Sequence, residues 1–139
     1  MEVCDFLNTN PISESKAREL SPQVMAFVGD AVHTLYIRTK LAETSTAKSH
    51  TLHLKTSKEV KASAQAHKME MIFPTLTEEE QYIYKRGRNA KTGAPAKNAS
   101  MIDYRVASGF EALLGYLYLT GKYERLLEIL KLSEVKDNG

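Results

Sequence analysis

Apolar residues in this chain recur at every third and fourth position over long stretches, and no stretch of useful length alternates between apolar and polar residues. The first spacing lines one face of an α-helix, whereas alternation would indicate a β-strand. One such stripe consists of Val24, Phe27, Val28, Ala31 and Leu35. The pattern therefore predicts an all-α fold. The 139 residues contain no linker-like segment, so we expect a single domain over residues 1–139 with its core at about 13–135.

Helix start signals divide the chain. Ser13 and Ser21 can cap helices, and Pro22 suits a first helical turn, so helices are expected from Ser13 toward Leu20 and from Ser21 to about Leu41 or Ala42. The polar segment from Ala47 to Ile72 predicts helix with one break near Thr56.

Further signals follow in the second half of the chain. Thr77 and the three acids after it begin a helix that should fade near Gly87. Residues 89–100 contain glycine and proline, which is typical of an exposed loop. Ser100 can cap the next helix, which Gly121 ends before a final amphipathic helix over Tyr123 to Leu132. The predicted apolar face of the helix after Ser100 consists of Ile102, Val106, Phe110, Leu113, Leu114 and Leu117.

Composition excludes several classes of protein. No apolar run approaches the roughly 20 residues that span a bilayer, and the N-terminus does not resemble a secretory signal, so we expect no membrane partner and a cytoplasmic location. The single cysteine, Cys4, cannot form an internal disulfide. The net charge of +2 is too small to indicate a partner by itself.

Two carboxylates, Asp30 and Glu111, lie inside predicted core helices among small and apolar residues. A carboxylate in such surroundings loses hydration and needs a cation or hydrogen-bond donors in exchange. The small neighbours would let the two helices cross closely and place both carboxylates on one divalent cation. The alternative at this point is that each is an ordinary helix charge at the rim of the core, since spacing alone does not show that the two meet.

The sequences around both carboxylates resemble motifs of the ribonuclease III family. The run AFVGDAV resembles the signature helix of that family, and FEALLGYLYL resembles its second catalytic helix, in the same order along the chain. Together with KRGRNAKTGAPAKNAS before the second motif, and with no double-stranded-RNA-binding domain expected, the chain looks most like Mini-ribonuclease III, the reduced bacterial branch.

The resemblance implies the chemistry of the site. Asp30 falls on the signature aspartate of the family and Glu111 on its essential glutamate, so both are implied to be catalytic and to hold Mg²⁺, with Mn²⁺ as a substitute. The implied reaction is endonucleolytic hydrolysis of double-stranded RNA that leaves 5′-phosphate products. Ala26 and Ser108 stand where the longer enzymes have further acids, which leaves the number of metal ions open.

A basic stretch precedes the second motif. Between Gln81 and Ile102 there are five basic residues and no acid, an excess that attracts phosphates. Duplex RNA is recognised mainly through its shape, phosphates and 2′-hydroxyls, which suits a basic loop with few aromatic residues. The residues predicted to contact RNA are Lys85, Arg86, Arg88, Asn89, Lys91, Lys97, Tyr104 and Arg105.

Other charged residues carry weaker signals. A lysine stripe before Pro74 is interpreted as a solvated face, with RNA contact as the alternative; it consists of Lys55, Lys58, Lys61 and Lys68. His50 and His53 have no third metal ligand at a recognisable spacing, so they are interpreted as surface residues. His33 and His67 carry no functional signal.

A homodimer is expected, because two symmetric sites match the two antiparallel strands of a duplex. The resemblance places Phe27 in the dimer interface, with core packing as the alternative. It also implies maturation of the 23S ribosomal RNA precursor, with a large-subunit ribosomal protein as a possible partner. A non-catalytic RNA-binding protein with the same fold stays an alternative, and a helix-turn-helix DNA-binding protein is disfavoured because no recognition helix is evident.

Overall fold

The computed structural model of the protein describes residues 3–90 and 100–134, and those residues contain helices and no strand. The elements are α1 (Val3–Leu7), α2 (Glu14–Glu19), α3 (Pro22–Thr44), α4 (Ser49–Val60), α5 (Ala62–Ile72), the 3-10 turn Phe73–Thr75, α6 (Glu78–Asn89), α7 (Met101–Leu119) and α8 (Tyr123–Leu132). The predicted all-α fold is confirmed. None of these helices is both long enough and apolar enough to cross a membrane.

The predicted helix caps are present. Ser13 accepts a hydrogen bond from the backbone N–H of Lys16 at 3.0 Å, and Ser100 accepts one from Asp103 at 3.0 Å. Thr77 and Glu80 form a reciprocal capping box at the start of α6. Each cap satisfies a backbone donor that would otherwise lack a partner in the first turn, which is why these short polar residues fix where the helices begin.

Helix α7 forms the centre of the core. Every residue from Ala112 to Leu117 is buried, and α3, α5, α6 and α8 all pack against this helix. The face predicted from sequence is buried from Phe110 onward, whereas Ile102 is 75% exposed. The prediction is wrong at Ile102, because this residue borders an open cavity between α5, α6 and α7 instead of packing in the core.

The crossing of α3 and α7 depends on two glycines. A Cβ atom on Gly29 would lie 1.7 Å from the backbone oxygen of Glu111, and one on Gly115 would lie 1.9 Å from the backbone oxygen of Met25. Both distances are far below any contact that a Cβ atom makes, so only glycine lets the two backbones touch here. Asp30 follows Gly29 directly and is therefore placed against the turn of α7 that carries Glu111.

The predicted burial of α3 is wrong. Phe27 is 80% exposed and Leu35 is 67% exposed, while the buried residues of the helix lie on another face. The buried set is Met25, Gly29, His33 and Ile37. The helix presents its glycine-containing face to α7 because that face permits the close crossing, and Phe27 and Leu35 consequently point away from the core.

The break in the predicted helical segment from Ala47 to Ile72 lies at Lys61 and not near Thr56. Lys61 has an extended backbone (ψ 157°) between α4 and α5. Thr56 is buried within α4, and its hydroxyl donates to the backbone oxygen of Leu52 at 2.9 Å. No glycine or proline marks the true break.

The actual position of the break also explains why one residue of the predicted lysine stripe is buried. Lys55, Lys58 and Lys61 are exposed as predicted, but Lys68 is 1% exposed. Its ammonium group lies 3.1 Å from Nε2 of the buried His33 and 2.8 Å from a carboxylate oxygen of Glu59. The stripe placed all four lysines on one helical face, whereas the break at Lys61 reorients α5 and turns Lys68 inward.

Candidate active site

Asp30 and Glu111 meet at the crossing of α3 and α7. Their carboxylates are close enough to share a hydrogen bond when one of them carries a proton. They line an open cavity of about 500 Å³ between α3, α6 and α7. Asp30 is exposed, whereas Glu111 is partly buried beneath it. The sequence-based expectation that small neighbours would bring these two residues together is therefore confirmed.

The pair is electrostatically unbalanced. Burial, followed by the hydrogen bond and negative charge of Asp30, raises the pKa of Glu111 to about 9, and a hydrogen bond from Gln65 acts in the opposite direction. Two adjacent carboxylates cannot both ionise cheaply in such a place. The site therefore needs either a proton or a cation between them.

The residues at the crossing fit a hard divalent cation. Mg²⁺ binds oxygen ligands, retains several waters and commonly uses only one or two carboxylates of the protein. Within the described part of the chain, no cluster of three or more His, Cys, Asp or Glu residues is arranged to hold a metal. The donor set therefore suits a largely hydrated Mg²⁺ or Mn²⁺ better than a metal that requires a closed protein cage.

The predicted RNA-contacting residues are distributed around this cavity rather than gathered inside it. Tyr104 lines the cavity, and Lys85 and Arg105 are exposed on α6 and α7. Lys91 and Lys97 lie outside the described residues. Among the described residues of the predicted set, Tyr104 is the one that lines the cavity together with the carboxylate pair.

The two arginines of α6 are engaged elsewhere. Arg86 donates to the backbone oxygen of Leu20 at 3.3 Å and is partly buried. The Arg88 guanidinium lies 5.6 Å from the centre of the Tyr84 ring, donates to the side chain of Asn89 at 3.1 Å, and lines a second cavity of about 380 Å³. Arg86 thus connects α6 to the start of α3, and Arg88 lies at a different opening of the molecule.

Sequence reasoning missed Gln65. This glutamine of α5 is buried and interacts with Glu111 from the interior side of the site. A glutamine in a polar helical segment gives no signal that it is buried. Because the helix break was predicted near Thr56, the sequence also gave the wrong orientation for the helix that carries Gln65.

Comparison with known proteins agrees with this geometry. Residues 23–122 match the family described as "Ribonuclease III domain", a span that contains both carboxylates, all but the first residue of α3, and the whole of α4 to α7. The chain belongs to the ribonuclease III family, in its Mini-ribonuclease III branch.

Individual relatives support the assignment to this family. The chain is 49% identical over 126 residues to "Mini-ribonuclease 3" of Thermoanaerobacter sp. (strain X514), covering 91% of this chain and 89% of that one. It is 50% identical over 111 residues to "Mini-ribonuclease 3" of Brevibacillus brevis, covering 80% and 83% respectively. A crystal structure of a Fusobacterium nucleatum protein is similar with a TM-score of 0.75 and 30% identity, covering 83% of this chain and 92% of that one. Membership of the family makes the chain an endoribonuclease that acts on RNA.

Two small residues distinguish this ribonuclease III site. Ala26 and Ser108, the two residues that by resemblance replace acids of the longer enzymes, both line the cavity beside the carboxylates. The Ser108 hydroxyl donates to the backbone oxygen of Tyr104 at 3.0 Å and is therefore committed to its own helix. The space that they leave above Asp30 and Glu111 can be filled by water and by a phosphate of the substrate.

Proposed function

We propose that this ribonuclease III-family protein hydrolyses double-stranded RNA with Mg²⁺ held by Asp30 and Glu111. The observation that supports the proposal most directly is the meeting of these two carboxylates at the floor of an open cavity. Two mutually repelling carboxylates, one of them partly buried, are costly side by side unless a cation or a proton lies between them. A bound catalytic cation would offset this electrostatic repulsion.

Each residue of the site has a separate task in this proposal. Bound Mg²⁺ polarises a phosphodiester and lowers the pKa of water, which is the chemistry that hydrolysis requires. Asp30 and Glu111 fix the position of the cation, and neither needs to act as a general base. Ala26 and Ser108 leave room for the scissile phosphate, and the products that we expect carry a 5′-phosphate and a 3′-hydroxyl.

The test is cleavage of a long RNA duplex by the wild type, Asp30→Asn and Glu111→Gln across a Mg²⁺ titration. We expect both variants to stay folded and to lose cleavage at every Mg²⁺ concentration. Asp103→Asn is a matched control because Asp103 is a carboxylate on the same helix as Glu111 that lines the second cavity instead. Cleavage by Glu111→Gln at the wild-type rate would remove Glu111 from the site, and a folded wild type that binds RNA without cutting it would indicate the non-catalytic alternative.

The proposal assigns RNA contacts to exposed basic residues of α6 and α7, two of the helices that form the cavity. Lys85 and Arg105 are both exposed and can neutralise phosphates. Their replacement by alanine should weaken duplex binding and reduce the slope of log affinity against log salt by up to about 1 for each phosphate that is no longer neutralised. Lys131→Ala on α8 is the control. An unchanged slope would show that this surface lies off the path of the RNA, and equal competition by duplex DNA would argue against recognition of 2′-hydroxyls.

We further propose that the protein acts as a homodimer through the exposed apolar face of α3. Phe27 and Leu35 are the exposed large residues at the centre of this face, and Phe27 also lines the active-site cavity. An isologous contact through this face would place two active sites near one twofold axis, as two antiparallel RNA strands require. The exposure of Phe27 also rules out the alternative that it packs in the core.

Light scattering on a sizing column tests the dimer. Leu35→Arg should halve the molar mass, whereas Leu54→Arg should leave it unchanged because Leu54 is an exposed leucine of α4 away from this face. A wild type that is monomeric at micromolar concentration would contradict the homodimer. A dimeric Leu35→Arg would show that another surface forms the interface.

The proposed substrate is the 23S ribosomal RNA precursor, with a large-subunit ribosomal protein as a possible partner. This part of the proposal depends on the similarity to proteins named Mini-ribonuclease 3. Mapping the ends that the wild type and Asp30→Asn produce from precursor ribosomal RNA, with and without ribosomal proteins, tests it. Wild-type ends that do not fall near the mature termini would exclude this substrate.

A further inference from the structure

Gln65 joins the active site to the helix break behind it. The residue is 3% exposed, and its Nε2 donates to the backbone oxygen of Val60 at 2.6 Å. That oxygen belongs to the last residue of α4, where helical carbonyls lose their partners within the helix. The same amide lies close enough to Glu111 to lower the pKa of its carboxyl group. One amide therefore satisfies the end of α4 and faces Glu111.

The other atom of the amide is unused. Oε1 of Gln65 is buried and has no hydrogen-bond partner among the residues that the structure describes. Buried acceptors nearly always find a donor, so an acceptor without one next to a carboxylate pair suggests that the donor comes from outside the protein. A hydrated divalent cation carries water molecules whose O–H groups can serve as such donors.

Helix α5 also braces the other half of the site. Lys68, one turn after Gln65, binds Nε2 of His33, and His33 lies one turn after Asp30 on α3. Gln65 thus acts on the carboxylate carried by α7, while Lys68 acts on the helix that carries Asp30. This arrangement makes α5 the element that fixes the two carboxylates relative to each other.

We propose that Gln65 is a positioning residue of the metal site, which orients the carboxylate of Glu111 through its amide N–H and accepts a hydrogen bond through Oε1 from the water around the bound cation. The inference deepens the proposed function and rests on it. The competing explanation is that Gln65 only caps α4. The two explanations differ in one observable quantity, because a cap alone would change stability and leave the affinity for the metal unchanged.

The experiment measures Mn²⁺ binding by electron paramagnetic resonance and the Mg²⁺ dependence of duplex cleavage for the wild type and Gln65→Met. Methionine keeps the volume of the side chain and removes both hydrogen-bonding atoms. We expect Mn²⁺ affinity to fall by about 10- to 100-fold, the range typical when a residue that supports a metal ligand is removed. The half-saturating Mg²⁺ concentration should rise in parallel, while saturating Mg²⁺ restores most of the cleavage rate.

Thr56→Val is the matched control. Thr56 is also buried and also donates from its side chain to a backbone oxygen of α4, but it has no part in the carboxylate cavity. This variant should bind Mn²⁺ as the wild type does. Wild-type Mn²⁺ affinity in folded Gln65→Met would overturn the inference, and so would an equal loss of affinity in Thr56→Val, because the effect would then come from general destabilisation.

A second variant covers the case in which Gln65→Met does not fold. Gln65→Glu keeps the size and the acceptor and adds a carboxylate beside the pair, so Mn²⁺ should raise its melting temperature more than that of the wild type. An equal or smaller rise would overturn the inference.

Asp30→Asn separates this inference from the proposed function. If Asp30→Asn binds Mn²⁺ as tightly as the wild type, the metal is not at this site and both proposals fail. If Asp30→Asn loses binding and Gln65→Met does not, only the role of Gln65 is wrong.

Discussion

Gly29→Ala should disable the active site without changing any residue of the site itself. The added Cβ would lie 1.7 Å from the backbone oxygen of Glu111 and 2.8 Å from the backbone nitrogen of Gly115. Cβ contacts closer than 3.0 Å essentially do not occur, so α3 and α7 must separate by about 1.3 Å, the difference between 3.0 and 1.7 Å. Because both contacted atoms belong to the backbone, no side-chain rotation can relieve the clash.

The expected effect on cleavage is larger than the effect on stability. Overpacking of a core costs about 1–3 kcal/mol, and the better helix propensity of alanine returns about 1 kcal/mol, so the free energy of unfolding should fall by at most about 2 kcal/mol. A displacement of about 1 Å at a catalytic site costs on the order of 100-fold in rate. Urea unfolding and cleavage of an RNA duplex at saturating Mg²⁺ measure the two quantities.

Ile129→Ala is the comparison for this prediction. Ile129 is fully buried on α8 and does not line the carboxylate cavity, so its truncation should cost about 2–5 kcal/mol without moving α3 against α7. Where it is folded, Ile129→Ala should cleave at close to the wild-type rate. The reasoning is refuted if Gly29→Ala cleaves as fast as the wild type, or if Ile129→Ala loses as much activity as Gly29→Ala.

Three further predictions concern charged groups. Burial, followed by the charge of Lys68, lowers the pKa of His33 to about 3. The free energy of unfolding measured in urea should therefore fall as the pH drops below 6.5, by up to about 1.4 kcal/mol per pH unit. The measurement is made in a Glu111→Gln background, because the raised pKa of Glu111 would change stability in the opposite direction. His33→Asn should abolish that slope, and a slope that persists would exclude His33 as its source. Burial alone would raise the pKa of Glu80, but hydrogen bonds from Arg125 lower it overall. Glu80→Gln should therefore lower the free energy of unfolding by about 1–3 kcal/mol at pH 7 and flatten the loss of stability below pH 4.5. A free energy of unfolding in urea equal to that of the wild type at pH 7 and below pH 4.5 would contradict this. Ser108→Asp should tighten Mn²⁺ binding and lower the melting temperature of the metal-free protein, because it adds a third carboxylate at the cavity; weaker Mn²⁺ binding would show that this side chain points away from the cation.

The sequence was sufficient to predict the carboxylate pair because its causes are local. Small residues on two apolar helices predict a close crossing, and a carboxylate at such a crossing needs a partner. Asp30 and Glu111 both satisfy these conditions within short motifs, and the structure confirms their meeting. The caps at Ser21 and Ser100 were predictable for the same reason, since each acts within its own first turn.

Features that depend on distant parts of the chain were not predictable in this way. Lys68 is buried because its ammonium group contacts His33 and forms an ion pair with Glu59. His33 lies 35 residues away on α3, and Glu59 lies at the end of α4. The break at Lys61 has no local signal, and Gln65, which stabilises it, is recognisable only once α5 and α7 are packed together. Misplacing that break led directly to the wrong face for Lys68.

The orientation of α3 connects these successes and errors. One rotation of the helix about its axis decides which residues meet α7, and the metal site requires that Gly29 does so. Phe27 and Leu35 then point outward. At roughly 100° per residue, Phe27 lies about 160° around the helix axis from Gly29 in one direction, and Leu35 lies about 120° from it in the other. An exposed apolar face is costly for a monomer, and the proposed homodimer is the arrangement that would cover it. The orientation of α3 therefore has two consequences. It brings the two carboxylates together at the close crossing, and it exposes the apolar face that the proposed homodimer would cover.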